Sequence, residues 1–117
     1  MTPFADVTFD TIGPVVVARL EGEIDMSNAN ELGVAITSRV PNDALAVVLD
    51  LGAVDYIDSA GIHVVYELRE GLKRRGQEIR LVVPSESPIA ATLQYADVPH
   101  TVGAADTVQA AIADLED

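Results

Sequence analysis

The chain contains no cysteine, and only 4% of its residues are aromatic. The missing thiols exclude disulfides, thiolate metal sites and cysteine nucleophiles. The scarcity of aromatics leaves Val, Leu, Ile and Ala to fill the core. Basic side chains are also few. Seven Lys and Arg stand against nineteen Asp and Glu, for a net charge of −12. Such a surface repels nucleic-acid phosphates and anionic lipid heads, so neither nucleic acid nor membrane is expected as a partner. It suits a basic protein partner, or simple solubility. Long hydrophobic runs are missing too. The longest spans a handful of residues, far short of the ~20 that a membrane-crossing helix needs. Residues 1–6 lack the basic and apolar regions of a signal peptide, and the expected compartment is the cytoplasm.

What is present fits one domain over residues 1–117, with residues 1–5 expected to be flexible. Hydrophobic residues make up 49% of the 117. A domain of this size buries roughly two-thirds of the surface its unfolded chain exposes. Residues 7–10 alternate apolar and polar, as a half-buried edge strand does. Residues 11–14, Thr-Ile-Gly-Pro, read as a turn, and the β-branched run 15–20 reads as a second strand. The two strands are too close for a helical crossover and are expected to pair antiparallel. Residues 22–27 read as a loop. A helix follows, with Ala29, Leu32, Ile36 and Val40 on one face and a stop at residues 41–43. Residues 44–51 form the most continuous apolar run, which predicts a central strand buried on both faces.

A second loop, residues 52–59, leads to the clearest helix, residues 60–75. Gly61, Val65, Leu68 and Leu72 share its face, cations fill its last turn, and Gly76 sits at the stop position. Residues 79–83 read as a strand. Ser87 and Pro88 read as a helix start, with Ile89 and Leu93 as its apolar pair. Residues 100–102 read as a short strand. Asp106 with Gln109 reads as a capping box for a last helix striped by Val108, Ala111, Ile112 and Leu115. The order predicts an α/β domain with a mixed, mostly parallel sheet of 4–5 strands and 4–5 helices, the first strand antiparallel. Functional loops of such sheets lie at the carboxyl ends of the strands, which singles out residues 22–27 and 52–59.

The second of these loops and its flanks, residues 47–62, resemble the STAS domain and, within it, the bacterial anti-sigma factor antagonists. The match is a strand, a short loop ending Asp58-Ser59-Ala60-Gly61-Ile62, then a helix. Gly22-Glu23-Ile24-Asp25 is similar to the family's Gly-x-(aliphatic)-Asp loop. Element order and chain length agree, so the resemblance spans nearly the whole chain. It implies a partner switch. The unmodified protein would bind an anti-sigma factor that is itself a serine/threonine kinase, freeing the sigma factor. Phosphorylation on Ser59 would block binding, and a metal-dependent serine phosphatase would reverse it. It implies Asp25 at the partner-binding surface, in transcription control of the kind that governs stress responses or sporulation; Asp58, Gly61, Ile62 and His63, in and beside the same motif, are expected to share that surface. A STAS subunit of another assembly, a stress-signalling complex or a lipid transporter, is the alternative.

The residues can also be read without the family. Ser59 stands where loop becomes helix, so its hydroxyl can cap the helix. As phosphoacceptor it would gain about −1.5 to −2 charge at a helix N-terminus that tolerates it. Asp58 can cap the same helix, bond loop amides or contact a partner. Asp25 fits a cap, an Asx turn or a partner contact. Gly61 leaves room for an approaching partner. Ile62 fits core packing or an interface anchor. His63 stands where many relatives carry glycine, one helical turn after Ser59. It is either a solvated residue or a partner for a phosphate there. Ala60 leaves Ser59 as the motif's only hydroxyl.

Other chemistries lack their residues. A phospho-aspartate receiver needs a lysine at the end of a late strand, and the one lysine, Lys73, lies inside a helix. No Gly-x-Ser-x-Gly elbow, phosphate-binding glycine loop or His-Glu-x-x-His is present. Neither enzyme activity nor a cofactor or metal is expected, and the free protein is expected to be a monomer. Glu23, Asp25, Asp55 and Asp58 gather acidic charge at the two loops, which favours a basic partner face.

Overall fold

A computed structural model describes residues 6–116; the expected flexibility of residues 1–5 lies outside them. The elements in chain order are β1 (Asp6–Ile12), β2 (Val15–Ile24), α1 (Ala29–Ser38), β3 (Ala46–Ile57), α2 (Ser59–Arg74) and β4 (Glu78–Val82). They continue with α3 (Ala90–Tyr95), a π-helical turn (Pro99–Gly103), β5 (Ala104–Ala105) and α4 (Val108–Glu116). The five strands lie side by side in sequence order. The first pair is antiparallel, with Val7 opposite Leu20 and Phe9 opposite Ala18. The remaining pairs are parallel. The expected α/β class and the antiparallel first strand are both found.

Strand alternation divides the core into two layers. Val16, Ala18, Leu20, Val47, Leu49 and Leu81 face α1, α2 and α3. Val15, Val17, Ala46, Val48 and Val82 face α4, which covers them with Ala111 and the partly buried Val108, Ile112 and Leu115. β3 therefore buries both of its faces at its start, and Val47 and Val48 have no exposed surface. Each such aliphatic side chain contributes roughly 1.5–3 kcal/mol of burial.

Several boundaries differ from those expected. β1 runs to Ile12, so its turn tightens to Gly13 and Pro14, with Gly13 at φ +59°. β2 runs to Ile24 and β3 to Ile57, through segments expected to be loops. Their polar-looking carboxyl halves pair with each other, Gly22 with Val54 and Ile24 with Ile57, across two register shifts. Gly22 accommodates the irregularity at φ +105°. α1 ends at Ser38, and Val40 is buried just beyond it. α3 starts at Ala90, with Ser87 accepting the Ile89 N–H in the preceding turn. Residues 100–102, expected as a strand, belong to the π-helical turn. Pro99 has no N–H to give a ladder, and only Ala104 and Ala105 pair with β4. Thr107, not Asp106, caps α4, its Oγ1 accepting the Ala110 N–H at 3.1 Å.

Candidate functional site

The extension of β2 and β3 leaves short connections at their carboxyl ends. Between β3 and α2 only Asp58 remains. Its backbone is extended, and its Oδ1 accepts the Gly61 N–H at 3.0 Å. Asp58 is therefore the cap of α2. Ser59, expected as a possible cap, is the first residue of the helix and is exposed.

The other Asp58 oxygen reaches across the site. Oδ2 accepts the Met26 N–H at 3.2 Å, and the Asp58 N–H donates to Ile24 O at 3.2 Å. The connection after β2 is thereby tied to the head of α2. Asp25 organises that connection from within. Its Oδ1 accepts both the Ser27 hydroxyl and the Ser27 N–H, which hold its carboxyl below the usual carboxylate range. The Asx-turn expectation for Asp25 is thus met, and the structure brings Asp25, Asp58 and Ser59 together.

Sequence reasoning passed over Asn28. It is only 4% exposed, and its side chain points back into the connection rather than capping α1. Its Oδ1 accepts the Asp25 N–H at 3.0 Å and its Nδ2 donates to Glu23 O at 2.8 Å. The signal available was an amide side chain at the start of a helix, where Asn is favoured. Two exposed apolar residues were passed over as well. Met26 is 82% exposed and Tyr56 50%.

Gly61 is buried, and its position corrects the expectation that it clears space for a partner. A Cβ there would lie 2.6 Å from Ile57 Cγ1 and 2.9 Å from Ile24 Cγ2. The glycine lets α2 descend onto the ends of β2 and β3. Ile62 is partly buried and packs against the core, as one of its two readings expects. His63 is exposed, with its Nε2 3.4 Å from Glu67 Oε2, so its recorded neighbour is a carboxylate one turn further along α2. Glu23 and Asp55 are exposed but belong to strands, not loops. No helix among the described residues is long and apolar enough to cross a membrane.

This arrangement presents an exposed hydroxyl at the head of a helix, among carboxylates and two exposed apolar side chains. Comparison with known proteins gives it a context. Residues 6–111 match the family described as STAS domain. A protein of Bordetella bronchiseptica, BtrV, named as a candidate anti-sigma factor antagonist, is 36% identical over 75 residues. That match spans 64% of this chain and 65% of BtrV, a little under two-thirds of the relative's length. An anti-sigma factor antagonist from Mycobacterium paratuberculosis superposes with a TM-score of 0.81 at 24% identity, covering 100% of this chain and 98% of that one. The Bacillus cell fate determinant SpoIIAA, solved in its phosphorylated form, superposes with a TM-score of 0.64 at 18% identity, covering 94% and 99%. The two structural likenesses concern the fold.

Proposed function

The chain belongs to the STAS-domain family, and on that premise we propose that it is an anti-sigma factor antagonist, a binding module switched by phosphorylation of Ser59. The carrying observation is the head of α2, where Asp58 takes the cap and leaves the Ser59 hydroxyl exposed at the first helical position. A cap serine would spend its oxygen on a backbone amide; this one does not need to. The name of the Bordetella relative supports the role, and the phosphorylated state of SpoIIAA supports the modification.

In this reading the unmodified protein binds an anti-sigma factor serine/threonine kinase in the cytoplasm and releases the sigma factor. Asp25, Asp58, Ile62 and His63 line the bound face, and Gly61 sets the height of α2 beneath it. The kinase transfers a phosphoryl group from ATP to Ser59 Oγ, with ADP leaving and the hydroxyl proton going to a base on the kinase. A metal-dependent serine phosphatase returns the hydroxyl by hydrolysis. The phosphate sits on the first turn of α2, where helix N–H groups stabilise negative charge, so α2 stays folded. Binding is lost because a dianion appears on a face already carrying Asp25, Asp55 and Asp58.

The test is capture of partners by Ser59→Ala and Ser59→Asp proteins, with phosphosite mapping after incubation with the captured kinase and ATP. Ser59→Ala is expected to retain a kinase-like partner, Ser59→Asp to lose it, and phosphate to map to Ser59. Equal capture by both variants would sink the switch and favour a STAS subunit of another assembly.

A further inference from the structure

Single exposed apolar side chains are ordinary on a protein surface. Met26 differs in how its backbone is held. It lies in the connection between β2 and α1 and is 82% exposed. Two side chains brace the residues on either side of it. Asn28, buried in that connection, accepts the Asp25 N–H through Oδ1 and donates from Nδ2 to Glu23 O. Asp25 Oδ1 accepts the Ser27 N–H at 2.9 Å, and Asp25 O accepts the Ala29 N–H at 2.8 Å. Met26 itself donates its N–H to Asp58 Oδ2 at 3.2 Å. The connection is pinned before, at and after a residue whose side chain stays in water.

None of these bonds uses the Met26 side chain. Turning it into the core would remove apolar surface from water. The network instead fixes the backbone with the thioether outside. A fixed backbone lowers the ordering cost of a binding contact. The unbranched thioether chain still adapts to an irregular apolar pocket.

Position and charge indicate the kind of pocket. The carboxylate that accepts the Met26 N–H belongs to Asp58, the cap of α2 and the residue before Ser59. Met26 is thereby tied to the flank of the proposed phosphoacceptor. Glu23 and Asp25 precede it within three residues. An apolar side chain among carboxylates is matched by an apolar pocket with a cationic rim. The buried contact supplies affinity, and the charges supply orientation and encounter rate.

We propose that Met26 is the apolar anchor of the partner-binding face, and that it enters an apolar pocket rimmed by basic side chains on the anti-sigma factor kinase. The inference rests on the kinase-binding reading above and adds to it the residue that holds the partner. Ser59 sets whether the partner can bind, and Met26 sets how long it stays.

The experiment uses the kinase retained by Ser59→Ala, purified, and follows its dissociation by surface plasmon resonance from wild-type, Met26→Ala, Met26→Leu and Leu45→Ala proteins. Leu45 is 63% exposed and precedes β3, at the opposite end of the parallel β2–β3 pair from Met26. Met26→Ala is expected to dissociate about tenfold faster, with an unchanged urea midpoint. Met26→Leu, apolar and similar in size, should stay close to the wild-type rate, and Leu45→Ala should match it. Peroxide treatment of the antagonist alone transfers one oxygen to Met26 Sδ and releases water, giving a polar sulfoxide. Treated wild-type protein should dissociate as fast as Met26→Ala, and treated Met26→Leu should be unaffected. A wild-type rate in Met26→Ala, with Ser59→Asp still unable to bind, would overturn the anchor and leave the switch standing. Equal acceleration in Leu45→Ala would overturn the anchor as well. Equal binding by Ser59→Ala and Ser59→Asp, or no kinase retained by Ser59→Ala, would overturn both readings.

Discussion

Asp58 Oδ2 accepts the backbone N–H of Met26 at 3.2 Å, a bond across 32 residues of sequence, while Oδ1 of the same carboxylate caps α2. One side chain therefore joins the two connections that follow β2 and β3. Asp58→Ala removes a helix cap and leaves the Met26 amide without that acceptor. A loss of about 1–3 kcal/mol is expected in urea unfolding. Faster hydrogen exchange at the Met26 and Gly61 amides should accompany it. An unchanged unfolding midpoint would contradict the latch.

Gly61→Ala adds one methyl group at 2.6 Å from Ile57 Cγ1. Alanine is the better helix former, so an open site would gain stability from the change. Here overpacking is expected to prevail and cost about 1–3 kcal/mol. Pairing it with Ile57→Val, which removes a methyl group from the contacted side chain, should recover part of the loss. Calorimetric melting of both variants checks the order.

Asp25 is expected to titrate below the ordinary carboxylate value of about 3.9, because the Ser27 hydroxyl and then the Ser27 amide bond its charged form. A folded value below the unfolded one means that stability is present above the unfolded pKa. It is lost as pH falls through the folded value. Ser27→Ala removes the larger cause, and the Asp25 midpoint should rise toward the ordinary value in an NMR titration. A midpoint unmoved by Ser27→Ala would remove the hydroxyl from the account.

The acidic face makes a kinetic prediction for the proposed partner. Association should slow as salt rises, because exposed charges are screened beyond about 10 Å at 0.1 M. Glu23→Gln combined with Asp55→Asn should flatten that dependence with little change in the dissociation rate. Stopped-flow binding at several ionic strengths measures both. A salt-independent association rate would count against charge steering.

Much of this architecture was legible because burial imposes a pattern. The continuous apolar run of β3, the stripe of α2 and the short β1–β2 connection each led to the right element and pairing. The two misread strand ends share one cause. Residues 22–24 and 52–57 mix glycines and exposed acids with the buried Ile24, Val54 and Ile57, without a regular alternation. Their strand character comes from pairing with each other, which a linear reading does not see. The motif at Asp58 and Ser59 was visible, but its division of labour was not. Which residue caps α2 depends on where the helix starts, and one residue's shift moves that role from serine to aspartate. The inward face of Gly61 and the backward turn of Asn28 likewise depend on neighbours distant in sequence.

The tight seat of α2 on the strand ends bears on how messages can be written at this surface. With no side chain at Gly61, helix and sheet meet without a spacer, and Asp58 stitches the neighbouring connection to the same corner. The corner is packed and bonded as one unit. A signal deposited there cannot easily be spent on bending it. It must be legible on the outside, so a partner would discriminate by what the corner displays rather than by any change in its shape.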